Sequence, residues 1–467
     1  MRSTDLISLA PFFLLISGGL TVLMLGIWPQ RVSTRSLTAV TMAFLLLSAV
    51  ATLFWKTPFE MSSMLVIDDM SRLFTLLFML SAAAIVTISY RYAPTRNEIR
   101  EEYLSLILFA TLGMTMLVTS RNLVSAFVGL EILAVPLYAL IAWKREQSAI
   151  EGGIKYAVLA GFAAAFFLYG VALAYASAGT LDLVALGSVT TDERLLLSVA
   201  VILMLVGIGF KLALVPFHMW APDIYQAAPA PITALFASIA KIAVLMFLIR
   251  LLCLQLQHIW EALLPLLWIL AVISMIAGNL LALHQQNLKR LLAYSSIAHL
   301  GYILVALAAG TALGRDAAIY YALTYALMNL GVFAVVAAFS LPHQDRQDLK
   351  EYRGLGRHYP VLGIAMGVCL LALAGLPPTA GFVAKLLAFG AAIEAGHIML
   401  AIIAVINTAL AFYYYLRILV VLYSEEKREQ NVTQPSQGTS AIVVVVSLLL
   451  VGLGTFPERM LMIIGTF

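Results

Sequence analysis

The chain has 467 residues, of which 62% are hydrophobic and only 11% charged, with a mean hydropathy of +0.98. A soluble domain carries roughly 25% charged residues, so this composition excludes a water-soluble enzyme and describes a polytopic membrane protein. The formal charge of +4 is too small to argue for nucleic acid, and Cys253 and Cys369, each alone in apolar sequence, offer no spacing for a metal or an iron–sulphur cluster.

In chain order, the first apolar run begins after Asp5 and lacks a small-residue cleavage pattern before Pro29, so it reads as a span rather than a removed signal. Apolar stretches of similar length recur along the chain. Division at the short polar breaks gives roughly fourteen, each long enough to cross about 30 Å of hydrocarbon as a helix. The longest hydrophilic stretches, from about Pro342 to Pro360 and from Ser424 to Gly438, are too short to bury a core and read as loops. Basic residues concentrate in alternate loops: Arg31 and Arg35, then Arg91, Arg96 and Arg100, then Lys144 and Arg145, then Arg346, Lys350, Arg353 and Arg357, and finally Lys427 and Arg428. The loops between them are leaner in basic residues and carry Asp68, Asp69, Asp182, Asp192 and Glu193. The positive-inside rule places the basic set in the cytoplasm and both termini on the outer side. No GxGxxG, GxxxxGKS/T or HExxH string is present, so nucleotide, flavin and zinc chemistry have no visible seat.

Against this apolar background stand Glu131, Lys155, Lys211, Lys241, Lys289 and Lys385, in or at the edge of long apolar runs. An ionisable group within hydrocarbon costs roughly 2.5 to 3.5 kcal/mol even on a lenient scale, so each needs a partner, a wet cavity or a role. Together they read as a relay for charge. Three of them lie beside prolines. Glu131 precedes Pro136 in EILAVPLYAL; Lys211 opens KLALVPFHMWAPDIYQAAPAP, where Pro216 frees the carbonyl of Leu212; and Gly375, Pro377, Pro378 and Gly381 stand just before Lys385. Open backbone at membrane depth is tolerated only in a protein interior or a wet cavity. Ser295, His299 and Tyr302 share a helix face, with Lys289 and Ser296 on a neighbouring one. Segments 152–176 and 317–340 are weakly alike, about 165 residues apart, as two repeats with paired discontinuous helices would be.

Each residue has a plainer reading. Lys155 and Lys289 stand near span ends, where a lysine can snorkel to the interface. Glu131 can be a static counter-ion, His299 an interhelical hydrogen-bonding group, and His218 a cap for carbonyls freed at the break. Tyr413 to Tyr415 read as packing and interfacial belt.

The strings GFKLALVPFHMWAPDIYQAAPAP, NLKRLLAYSSIAHLGY and AGLPPTAGFVAKLLAF, with Glu131 in GLEILAVPLYAL, resemble the antiporter-like membrane subunits of bacterial respiratory complex I, from about Met70 to Tyr423. A lysine at 385 argues against the M-type subunit, which has a glutamate there. The chain's end at Phe467 leaves no room for the long lateral helix of the L type. The related Mrp-type Na⁺/H⁺ antiporter subunits are the main rival. The resemblance implies an all-α polytopic membrane protein of about fourteen transmembrane helices, with two inverted five-helix repeats and discontinuous helices seven and twelve. The expected parts are an N-terminal segment 1–102, repeats at 103–252 and 253–423, and a C-terminal loop and helix at 424–467.

The resemblance further implies roles. Glu131 and Lys211 would form the family's Glu/Lys pair, Lys241 the central relay lysine and Lys385 the lysine nearest the outward exit. Lys155 and Lys289 would be further basic positions, His299 and His218 added polar stations, and Pro216, Pro377 and Pro378 the helix breakers. Burial disfavours a lysine's charged form and a nearby carboxylate restores it, so moving Glu131 would load or unload a proton. The expected function is that of a proton-translocating subunit of NADH:quinone oxidoreductase in the bacterial inner membrane. NADH, FMN, iron–sulphur clusters and quinone would lie in partner membrane and peripheral subunits, with no cofactor in this chain. A purely structural anchor would have no use for so many costly charges.

Overall fold

The computed structural model describes residues 3–27, 32–55, 59–61, 63–92, 100–187, 194–256, 259–341, 345–425 and 436–467. Pro29, Arg31, Arg96, Asp192, Glu193, Pro342, Lys427 and Arg428, used above in reading spans and loops, lie outside the described residues.

Helices α1 (Ser3–Gly26), α2 (Thr34–Leu53) and α3 (Asp69–Tyr92) lead to α4 (Glu101–Val118), α5 (Leu123–Ile141), α6 (Gln147–Ala178), a short α7 (Leu183–Leu186) and α8 (Arg194–Leu212). Beyond a break come α9 (Trp220–Ala227) and α10 (Ala230–Leu235), which runs through a π-helical stretch, Phe236–Ala240, into α11 (Lys241–Ile249). Next follow α12 (Trp260–Leu283), α13 (Leu288–Ala308), α14 (Ala312–Ala338), a short α15 (Leu355–His358), α16 (Pro360–Ala374), α17 (Ala380–Glu394), α18 (Ile398–Tyr423), α19 (Gln437–Thr455) and α20 (Pro457–Ile464). Among the described residues, 13 helical stretches are long and apolar enough to cross a membrane, so the chain is a multi-pass membrane protein. The shortfall from the expected number falls at α16 and α17, 15 residues each, which flank the second break.

The helices start and stop where the sequence carries caps. Asn122 opens α5 with a capping box closed by Ser125, Asn287 and Thr311 cap α13 and α14, and Gly179 ends α6 in the left-handed conformation at φ 65°. A hairpin of β1 (Phe59–Met61) and β2 (Leu65–Ile67) was not anticipated; Val66 donates to the carbonyl of Thr119, which fastens it to the end of α4. Pro136, the proline beside Glu131, lies inside an unbroken α5, so no break forms there. The helix forgoes one donor and continues because its neighbours hold it on both sides.

Small residues let helix backbones meet: a Cβ on Gly278 of α12 would lie 2.6 Å from the amide nitrogen of Ala298 on α13. The spans differ sharply in burial. Ala230–Leu254 is buried throughout its most apolar window and α13 and α14 for 94% of theirs, whereas α19 is buried for 22%. The interior is therefore built by α10, α11, α13 and α14, and the charged residues on them face protein rather than lipid.

A helix ends at each of the two proline-rich runs. At the first, α8 stops at Leu212, Ala213 adopts φ 59° and the Val215–Pro216 peptide is cis. The carbonyls that find donors there are those of Gly209, from the Leu214 amide at 2.8 Å, and Phe210, from the Trp220 indole at 2.9 Å. Neither is the Leu212 carbonyl that proline spacing singled out. At the second, Gly375 closes α16 at φ 82° and Pro377–Pro378 is cis.

Candidate functional site

Lys211 occupies the last turn of α8, buried, with Nζ 5.7 Å from the centres of both the Tyr138 and Tyr156 rings. Its ammonium has no hydrogen-bond partner. Glu131, on α5, is close enough for its charge to act on Lys211, yet among the described residues no ion pair within 4.0 Å joins them. The two aromatic faces stand in for the missing counter-ion.

Lys241 follows the π-helical stretch and heads α11. Its Nζ donates to Ser296 Oγ at 2.6 Å and lies over the rings of Tyr225 (5.3 Å) and Trp220 (5.9 Å). Tyr225 donates to the same serine at 3.2 Å. A cavity of about 20 Å³ is walled by both Lys211 and Lys241, with Tyr156 and Trp220 between them. That is room for about one water.

Beyond Ser296, α13 presents Ser295 and His299. His299 is held at both ring nitrogens, Nδ1 by the Tyr321 hydroxyl at 2.9 Å and Nε2 by the Tyr415 hydroxyl at 3.0 Å; Tyr415 in turn bonds Ser295. Tyr302, the third member of the predicted stripe, turns its ring to Lys385, whose Nζ stands 5.0 Å from the ring centre. Lys385 Nζ donates to the carbonyls of Leu373 and Ala374, 3.0 Å each, the end of α16. A cation belongs there, because the last carbonyls of a helix lack partners and carry its negative pole. A Cβ on Gly375 would lie 2.8 Å from Lys385 Cδ, so only glycine lets the side chain pass. Behind Tyr302, Asn279 donates to its hydroxyl and to Asn407 and accepts from Tyr414, a polar network in a membrane interior.

Lys289 does not snorkel. Its side chain is fully buried and paired with Asp345 at 2.7 Å, and it also donates to the carbonyl of Ala228 between α9 and α10. Asp345 takes Lys144 at 3.3 Å, Tyr92 at 2.5 Å and Ser340 at 3.0 Å. Burial works against the charged form of Asp345, but the ammoniums of Lys289 and Lys144 outweigh it and hold the carboxyl far below the usual carboxylate range. The sequence reading missed this cluster: Asp345 sits in a hydrophilic loop, and Lys144 was accounted for by topology. A second missed pair is Arg250, nearly buried, on Asp68 through two bonds of 2.7 and 3.0 Å.

Two predicted residues stand apart. Lys155 faces outward from α6, half exposed, with Glu151 at 2.6 Å and Asp223 at 3.8 Å. The apolar surroundings that made it look buried are an outward face, shared with Ile154, Val158 and Phe162. His218 lies in the first break with Nδ1 unpartnered but hydrogen-bonds the backbone of Pro216, while the Trp220 indole takes the Phe210 carbonyl. Among the described residues no group of three or more His, Cys, Asp or Glu side chains could hold a metal ion.

A family model for the transmembrane subunits of NADH:quinone oxidoreductase and Mrp antiporters matches residues 120–411. The NADH-quinone oxidoreductase subunit N of Trichlorobacter lovleyi is 40% identical over 408 residues, 85% of this chain and 83% of that protein. A chain of respiratory complex I from Thermus thermophilus with bound Aureothin superposes with a TM-score of 0.84 at 37% identity, covering 97% of this chain and 98% of the other. A chain of the Mrp complex from Dietzia sp. superposes with a TM-score of 0.89 at 22% identity, over 100% of this chain and 97% of that one, a likeness of fold alone. The chain belongs to the NADH:quinone oxidoreductase/Mrp antiporter transmembrane family, in the branch of NADH-quinone oxidoreductase subunit N.

Proposed function

We propose that this chain is the proton-translocating membrane subunit of an NADH:quinone oxidoreductase. It works within a hetero-oligomer of membrane and peripheral subunits that hold the NADH, FMN, iron–sulphur and quinone sites. The observation that carries the reading is the line of buried basic groups, Lys211 and Lys241 on one small cavity, then His299 and Lys385 on a tyrosine-rich interior. In lipid such groups are retained for ion or proton pathways. Glu131 acts on Lys211 from a distance, and moving its carboxylate toward or away from the lysine alters how firmly the proton is held. Lys241 passes it by way of Ser296 toward His299, and Lys385 releases it outward.

The same reading places the chain in the bacterial inner membrane with both termini periplasmic. It divides residues 103–252 and 253–423 into two inverted repeats between an N-terminal segment, 1–102, and a C-terminal one, 424–467. A Na⁺/H⁺ antiporter module of the Mrp type is the second reading, favoured by the shared fold.

The test uses purified Lys211→Ala and Lys241→Ala complexes in vesicles, with NADH:quinone turnover and proton uptake recorded together. Loss of uptake in assembled complexes is expected. Unchanged uptake per NADH in both variants would sink the relay, and Na⁺-dependent exchange without NADH would favour the antiporter.

A further inference from the structure

Both ammonium groups at Asp345 meet the same oxygen, Oδ2, while Oδ1 is held by Tyr92 and Ser340. The two lysines differ in access. Lys289 is sealed inside, whereas Lys144 also lines a polar pocket of about 290 Å³ with Glu146, Glu151, Asp223 and Arg290. Among the described residues two cations share this one buried carboxylate, one sealed behind it and one on the pocket wall, so the carboxylate has a supplied side and a closed side. Seven residues beyond Lys289 on the same helix, about 10 Å along its axis, Ser296 receives Lys241.

We propose that this cluster is the inlet of the relay, an inference that rests on the proton-translocating reading above. Lys144 takes a proton from the pocket. When Lys289 is neutral, the Lys144 ammonium proton crosses to the Lys289 amine in one concerted shift along Asp345 Oδ2, which both groups meet, and Asp345 remains a carboxylate throughout. Lys144 is left neutral to be reloaded, and one proton has moved from the pocket wall to the sealed interior. Tyr92 and Ser340 are positioning residues that fix the carboxylate by its other oxygen.

The discriminating variant is Lys144→Arg in the whole reconstituted complex, because a guanidinium keeps the charge but does not release its proton. The pocket beside Lys144 leaves room for the larger head group. Charge translocated per NADH, read as membrane potential, should fall by about tenfold or more. In Lys144→Ala, ethylamine in the medium should restore translocation and guanidinium should not; this pair decides the matter if the arginine variant fails to assemble. Wild-type translocation in Lys144→Arg, or equal rescue by both cations, would overturn the inlet and leave Asp345 a staple. Lys241→Ala, measured alongside, separates the two levels: normal translocation there defeats the relay itself, whereas a dead Lys241→Ala beside a normal Lys144→Arg defeats only the inlet.

Discussion

At the second helix break Lys385 reaches back to the two carbonyls that α16 leaves open, whereas at the first break the indole of Trp220 and the amide of Leu214 take the carbonyls and Lys211 is left among tyrosine rings. Proline-rich sequence with a nearby lysine produces both. The difference lies in who caps the broken helix. A lysine that serves as the cap is tied to the backbone; a lysine relieved of that duty is left to the proposed influence of a distant charge, Glu131.

The sharpest way to break this comparison is to delete each ammonium in a side chain of similar length. Lys385→Met leaves two buried carbonyls without donors, at about 1–3 kcal/mol each, and should lower the thermal midpoint of the solubilised complex clearly. Lys211→Met removes a buried cation that has no hydrogen bond, so stability should hold or rise. Equal losses would erase the distinction. A smaller effect is expected at the glycines. Gly375→Ala forces a side chain into φ 82° against Lys385, at about 1–2 kcal/mol, with reduced proton uptake. Gly209→Ala in α8 meets nothing nearer than Phe217 at 3.3 Å, and should change stability by under about 1 kcal/mol.

Glu131→Gln isolates the distant charge. Stability should move by no more than about 1 kcal/mol, since no ion pair is lost, while proton uptake per NADH falls several-fold on the scale of a lost proton-transfer partner. Uptake equal to wild type would make Glu131 a bystander. The smallest effect on proton uptake, though not on stability, is expected of a control at the Asp68–Arg250 pair. Burial opposes the charge on Asp68, but the Arg250 guanidinium outweighs it and lowers the carboxyl below its ordinary value. A folded-state value below the unfolded one contributes stability that is complete above about pH 3.9 and is lost as pH falls through the folded value. Asp68→Asn should therefore flatten the acid limb of the unfolding profile and leave proton uptake unchanged.

The sequence shows Lys241 and Lys385 readily, because an isolated charge in an apolar run has few explanations in a membrane. It shows the breaks for the same reason: prolines and glycines cannot be absorbed silently in a helix. Pro136 is nonetheless absorbed, as are Pro11 in α1 and Pro265 in α12, because a single missing donor can be tolerated inside a packed bundle. Asp345 was not legible, since a carboxylate in a polar loop looks solvated whatever folds over it. Lys155 erred the other way, because hydropathy cannot tell an outward apolar face from an interior one. Tyr415 reads as a belt residue and Tyr321 carries no signal of its own in the sequence; only three dimensions bring their hydroxyls to the two nitrogens of one imidazole.

The space between Lys211 and Lys241 is walled by Leu130, Leu133, Ala134, Leu137 and Val244 besides the lysines and aromatic rings, and measures about 20 Å³. At that size it takes one water or none, and walls so apolar leave the lysines as its chief hydrogen-bonding hosts. On the relay proposed above, the step between the two lysines would be a crossing of one molecule, and added bulk in its wall should slow it.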